Sequence, residues 1–285
     1  MADASRLRPA LLPMLAAMSL IPLGDAAGKM LMQDYGATPM FVGMSRFQLG
    51  AVMALLVACA MGRPPSRAAL MHKGLWLRGV LIGAAVATIV SALRTEPMAN
   101  VFGAFFVAPI LSFFLSALVL GERATPARII LLAIGFCGVL LVVRPGFGMT
   151  PGLALAAIAG VIYGGYLTAS RWLRDAAPPL DMLLVQLIVA ALVLTPFGIS
   201  QIPALDVEGW GWMFLSATAS MLANLFLILA YGRAGATALA PFVYFQLVAA
   251  TVFGLAFFGT YPDAVTLCGL VLLLASGFAT LLIKR

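Results

Sequence analysis

The sequence predicts an all-α polytopic membrane protein of ten transmembrane helices, arranged as two inverted five-helix repeats with both termini cytoplasmic. Three observations carry this expectation. Of the 285 residues, 63% are hydrophobic and only 9% are charged, a balance suited to a chain dissolved in lipid rather than water. The basic residues divide unevenly between alternate loops, and the chain repeats itself at a shift near 140 residues.

The elements follow in order from the apolar runs. A hydrocarbon core of about 30 Å is crossed by about 20 apolar residues. Runs over residues 11–32, 39–61, 75–94, 98–120, 126–143, 151–173, 180–200, 210–231, 236–259 and 263–283 are separated by short breaks carrying Pro, Gly and charge. Backbone groups cannot stay unpaired in lipid, so each run is expected to be a helix. The first run follows Arg6 and Arg8, as in a signal peptide, but no small-residue cleavage site precedes Asp25 and Lys29, so the run is expected to be retained. Connections this short make neighbouring helices antiparallel and put successive loops on opposite sides.

With the N-terminus inside, Arg6, Arg8, Arg63, Arg67, Lys73, Arg78, Arg123, Arg128, Arg171, Arg174, Arg233, Lys284 and Arg285 collect on the cytoplasmic side, leaving Arg94 and Arg144 outside. That is the asymmetry the positive-inside rule requires. The net charge of +7 is thereby explained by anionic membrane lipids as partners, and a nucleic-acid partner is not expected. Cys59, Cys137 and Cys268 lie in separate runs at no metal or redox spacing and are expected to be buried free thiols. Trp76, Trp172, Trp210 and Trp212 fall at run boundaries, as interfacial anchors do.

The internal repeat aligns Leu15-Ala16-Ala17 with Leu155-Ala156-Ala157, Gly24 with Gly164, Gly121 with Gly259 and Gly138 with Gly277. Five crossings per unit is an odd number, so the second unit enters the membrane the other way up. The expected units are residues 1–145 and 146–285. Gly24 with Gly28, Gly160 with Gly164 and Gly79 with Gly83 have the spacing of close helix packing, or of an interface that slides.

The stretch from Pro109-Ile110-Leu111 through Leu120-Gly121-Glu122-Arg123, followed by Pro126, Gly135 and Gly138, resembles the fourth helix, turn and fifth helix of the EamA family of the drug/metabolite transporter superfamily. The second half departs from that pattern, with Gly259-Thr260-Tyr261 in place of the Gly-Glu turn and Phe245-Gln246-Leu247 where a Pro is often found. The chain also looks similar to the family's bacterial amino acid exporters. The resemblance implies a carrier with a central cavity lined by helices 1, 3, 4, 6, 8 and 9, with helices 5 and 10 behind. It also implies no ATPase, and the chain has no phosphate-binding loop of the Gly-rich kind ending in Lys and Ser or Thr.

Charges inside the runs point to a pathway, because each costs a few kcal/mol or more at depth unless paired or facing water. Asp25 and Lys29 are four apart on one helical face and can form an ion pair. Arg46 lies at a similar depth in the second helix, and Arg94 is marginal. Either these groups form a fixed ionic cluster, or Asp25 takes an ammonium group or proton while Lys29 or Arg46 takes a carboxylate. Polar stripes at helical spacing add Thr88 and Ser91 on the third helix, Tyr163 and Tyr166 on the sixth, and Ser220 and Asn224 on the eighth. Tyr244 and Gln246 come from the ninth. Hydroxyls can satisfy their own backbone, so a Ser or Thr stripe also fits interhelical packing.

Together these residues suit a zwitterion with a variable side chain. The expected function is a secondary transporter, in the exporting direction, for amino acids including aromatic ones or similar small metabolites, in the bacterial inner membrane. It is expected to act as a monomer or weak homo-oligomer with no cofactor and no metal. The alternative is a carrier of anionic metabolites, vitamins or nucleotide-derived cofactors, with Lys29 and Arg46 as the clamp. An intramembrane enzyme finds no support, since the runs hold no paired carboxylates, no metal-ligand cluster and no nucleophile with its base.

Overall fold

The computed structural model describes residues 2–120, 126–146, 148–173, 175–231, 233 and 239–279. The Gly121–Arg123 turn, the start of the ninth predicted helix, Arg174, Lys284 and Arg285 fall outside the described residues. Among them all regular structure is helical: α1 (Ala2–Asp34), α2 (Pro39–Ala60), α3 (Arg67–Leu70), α4 (Lys73–Leu93), α5 (Met98–Phe105), α6 (Val107–Leu120), α7 (Pro126–Val143), α8 (Pro151–Trp172), α9 (Pro179–Gly198), α10 (Val207–Tyr231), α11 (Phe245–Phe258) and α12 (Ala264–Ala279), with 3-10 turns at Ile199–Gln201 and Ala240–Tyr244. Seven helical stretches are long and apolar enough to cross a membrane, and Ile129–Val143, Phe242–Phe258 and Ala264–Ala279 are shorter apolar helices. The chain is a multi-pass membrane protein.

Helix starts follow from capping chemistry. Thr38 and Thr150 each accept a backbone N–H three residues on, from Phe41 at 3.2 Å and Leu153 at 3.1 Å. Pro39 and Pro151 come next, where a missing N–H costs nothing. Ser66 caps the unpredicted α3 in the same way, accepting from Ala69 N. The fourth predicted helix is broken at Phe106 into α5 and α6. Pro109 explains the break, since it has no N–H to give the Phe105 carbonyl one turn earlier. The ninth is interrupted too, by the 3-10 turn that contains Pro241. The two interruptions face one another, with the Phe106 and Tyr244 rings 5.0 Å apart.

Packing partners are related by a simple exchange. Counting α5 and α6 as one span, and the Ala240–Tyr244 turn and α11 as another, moving every partner five spans along the chain preserves the main pairings. The α1–α10 pair becomes α8–α4, α1–α11 becomes α8 with α5 and α6, and α4–α9 becomes α10–α2. The α2–α9 and α7–α12 pairs map onto themselves. The two bundles that result, α4–α5–α6–α8 and α10–α11–α1, each mix helices from both ends of the chain.

Glycines set several of these approaches. A Cβ on Gly160 would lie 2.5 Å from the Phe105 carbonyl at the helix break, and one on Gly79 would lie 2.6 Å from Val189 Cβ. A Cβ on Gly165, in the same helix, would meet nothing within 4 Å. Gly160→Ala should therefore lower stability by about 1–3 kcal/mol through overpacking. Gly165→Ala should be neutral or raise it by roughly 0.5–1 kcal/mol through helix propensity. Thermal unfolding of the two variants in detergent checks the contrast, and equal effects would discount the close approach.

Two expectations are corrected. Cys59, Cys137 and Cys268 are exposed on the protein surface rather than buried, because each sits on the lipid side of its helix, where an apolar thiol is as well solvated as in a core. Arg94, at the end of α4, is exposed. On the same side of the protein, α7 is tied to α12 by the Arg144–Asp263 ion pair. There the Thr266 backbone N–H, then Arg144, hold the Asp263 carboxyl below the usual carboxylate range.

Candidate functional site

A cavity of ≈ 120 Å³ lies between the two mixed bundles. Its walls come from α1, α2, α4, α5, α8, α9, α10 and α11, so α2 and α9 join the helices expected to line it, while α7 and α12 stay outside. Seven of the residues singled out in the sequence line it: Asp25, Arg46, Tyr163, Tyr166, Ser220, Asn224 and Gln246.

One end is ionic. Asp25 and Arg46 are 3% and 6% exposed, and the Arg46 guanidinium donates to the Asp25 carboxylate at 2.5 Å. It also donates to the Gly24 carbonyl at 2.9 Å and to Ser216 Oγ at 3.0 Å, while Ser216 Oγ donates to the same carbonyl at 2.7 Å. The close approach of α1 to α10 at Gly24, where a Cβ would lie 2.9 Å from Ser220 Oγ, brings these groups together. A buried charge is tolerable only with its remaining hydrogen-bonding positions filled, and this arrangement fills most of them.

The expected Asp25–Lys29 pair does not form. A spacing of four permits such a contact within one helix, but the Arg46 fork from α2 takes the carboxylate instead. Lys29 lies outside the cavity wall, 4% exposed, donating at 2.5 Å to the main-chain carbonyl of Glu96. Carbonyls just beyond a helix end lack intrahelical partners, and Glu96 lies in the turn after α4. The ammonium is also 5.1 Å from the centre of the Phe258 ring. The Glu96 carboxylate, 8% exposed, accepts from Thr150 Oγ1 at the start of α8. Glu96, absent from the residues picked out in the sequence, thus ties α1, α8 and the α4–α5 turn into one buried cluster.

The other end is polar and aromatic. Phe105, Tyr163 and Tyr166 form a run of rings, with centroids 5.0 Å apart for the first pair and 5.2 Å, stacked at 28°, for the second. Tyr166 OH donates to Gln186 Oε1 at 2.8 Å, Gln186 Nε2 donates to Asn224 Oδ1 at 3.3 Å, and Asn224 Nδ2 donates to the Ser220 carbonyl at 2.8 Å. Beyond Tyr166, Arg78 donates to the phenol oxygen at 2.8 Å. Gln186 and Arg78 were both missed in the sequence. The repeat held the signal for Gln186: it lies 140 residues after Arg46, and the two occupy the eighth positions of α9 and α2. They point into the cavity from opposite ends.

Three other expectations are corrected. Thr88 and Ser91 are not among the residues lining the cavity, and their hydroxyls donate to the carbonyls of Ala84 at 2.8 Å and Ala87 at 2.7 Å in their own helix. Tyr244 packs instead on Phe106 at the junction of the two broken helices. Among the described residues no group of His, Cys, Asp and Glu is placed to hold a metal ion.

The family model described as the EamA-like transporter family matches residues 9–144 and again residues 150–282. A riboflavin transporter of Brucella anthropi is 28% identical over 67% of this chain and 70% of its own length. A pseudopaline exporter of Pseudomonas aeruginosa, CntI, is 28% identical over 72% of this chain and 73% of its own. An S-adenosylmethionine uptake transporter of Rickettsia prowazekii is 23% identical over 70% and 68%. One crystal structure superposes with a TM-score of 0.68 at 19% identity, covering 98% of this chain and 96% of the other, so the fold is shared.

Proposed function

Since the chain belongs to the EamA-like transporter family of the drug/metabolite transporter superfamily, we propose that it exports amino acids, including aromatic ones, or similar small metabolites across the bacterial inner membrane. The observation that carries this reading is the cavity itself. An opposite-charge pair, Asp25 with Arg46, stands at one end, and the stacked Tyr163 and Tyr166 with the amides of Gln186 and Asn224 stand at the other. A zwitterion can exchange its ammonium and carboxylate against the Asp25–Arg46 contact while its side chain lies on the rings. Ser220 and Gln246 complete the walls between.

In this reading residues 1–145 and 146–285 are inverted repeats, the ten spans have both ends cytoplasmic, and alternating access moves one mixed bundle against the other. The moving units are then α4–α5–α6–α8 and α10–α11–α1 rather than the two halves of the chain. A volume of ≈ 120 Å³ is well below the roughly 300–1,000 Å³ of pockets that hold small molecules. The bundles must part before a solute enters.

The test is flux in liposomes containing only this protein, loaded with labelled phenylalanine, tyrosine and smaller amino acids. Gradient-driven movement of at least one of them is expected, and failure of all of them would sink amino acid transport. A second reading, a carrier of vitamins or nucleotide-derived cofactors, is favoured by the relatives named for riboflavin and S-adenosylmethionine, and the ring run suits a flat heterocycle equally well. Counterflow with riboflavin and S-adenosylmethionine separates the two.

A further inference from the structure

Inside the cavity the charges cancel: Asp25 and Arg46 neutralise one another, and Lys29 is turned away to the Glu96 cluster. The guanidinium of Arg78 is different. Among the described residues no carboxylate is recorded within ion-pair distance of it, unlike Arg46 and Arg144, which pair with Asp25 and Asp263. It is half-buried, and its hydrogen-bond partners among the described residues are neutral. Nε donates to Ser170 Oγ at 2.8 Å, Nη1 to the Met182 carbonyl at 2.9 Å and Nη2 to Tyr166 OH at 2.8 Å, with the guanidinium 4.9 Å from the centre of the Tyr166 ring.

These contacts orient the group without neutralising it. Among the described residues, one hydrogen bond at each nitrogen leaves one N–H on each terminal nitrogen out of the five that a guanidinium carries. A planar fork with two N–H groups to spare matches a carboxylate or a phosphate in a bidentate way. The path onward is continuous, because the phenol that accepts from Arg78 donates to Gln186, which lines the cavity. A solute oxyanion displacing the phenol from Arg78 would free Tyr166 to turn with it.

We propose that Arg78 is the oxyanion-binding residue at the mouth of the cavity, taking the carboxylate or phosphate of the solute and delivering it to Tyr166 and Gln186. The proposal rests on reading the cavity as a solute path, and it narrows the cargo to compounds bearing such a group. Its test titrates the full-length protein in detergent with benzoate, phenylphosphonate and benzylamine, following the thermal unfolding midpoint. Benzoate or phenylphosphonate should raise the midpoint saturably, and whichever acts at lower concentration tells carboxylate from phosphate cargo. Benzylamine binding should not depend on Arg78.

In Arg78→Gln the half-saturating oxyanion concentration should rise about ten- to a hundredfold, the worth of a charge-assisted pair. Arg78→Lys keeps the charge without the fork and should fall between, which preserves the test if the glutamine variant does not fold. No saturable response to either oxyanion, or one unchanged in both variants, would overturn the proposal. Oxyanion binding through Arg78 with no amino acid flux would instead reject amino acids as cargo and leave this site standing. Amino acid flux equal in wild type and both variants would do the reverse.

Discussion

Replacing Arg46 by Gln is expected to lower stability by about 3–5 kcal/mol and to abolish transport. The loss comes less from the contact removed than from what remains. Asp25 is 3% exposed, and without Arg46 its carboxyl is left without its charged partner in a space from which water is largely excluded. The Gly24 carbonyl would retain Ser216 as a donor, so backbone satisfaction is damaged less than charge. Asp25→Asn should be nearly as harmful, for it strands the guanidinium instead. The double variant Asp25→Asn with Arg46→Gln removes both charges and should recover most of the stability without recovering flux. Thermal unfolding of the four proteins closes the cycle, and a double variant as unstable as the sum of the singles would show that the two groups act independently.

Locking the Lys29 end should arrest transport completely. Glu96 and Thr150 meet there from the α4–α5 turn and the start of α8, and Lys29 joins them from the other bundle. If that end must open for solute to leave, holding it shut leaves the cavity connected to one side only. Cysteines at positions 29 and 96, one from each bundle, in a background lacking Cys59, Cys137 and Cys268, can be joined by a short cleavable thiol crosslinker. Flux in liposomes should fall to that of empty vesicles on crosslinking and return on cleavage. Undiminished flux in the crosslinked protein would show that this cluster is not a gate.

Composition and periodicity located the helices well because lipid leaves a chain few options: an apolar run of sufficient length has to be helical. What happens between helices is a different matter. Asp25 and Lys29 are within reach of one another by spacing, yet the partner of Asp25 is chosen by Arg46, which arrives from another helix. Thr88 and Ser91 have the periodicity of a cavity stripe, but hydroxyls in a helix have a carbonyl of their own one turn back. Arg78 reads in sequence as one more basic residue flanking a loop, and only the packing of α8 and α9 against α4 turns it toward Tyr166. Gln186 was within reach, because the shift that aligned Gly24 with Gly164 also carries Arg46 onto it. The break at Phe106 was written in Pro109, though a continuous apolar run hid it.

The pairing of α1 with α10 has a consequence for biosynthesis. The hydroxyl of Ser216 and the carbonyl of Gly24 that it binds are 192 residues apart in the chain. At synthesis rates of roughly 5–20 residues per second, Asp25 enters the membrane some ten seconds or more before α10 is made. Arg46 follows it only 21 residues later and can neutralise it as the second helix inserts. The ion pair that closes one end of the cavity in the finished carrier is thus also the means by which the first two helices can wait in the bilayer for the rest of their bundle.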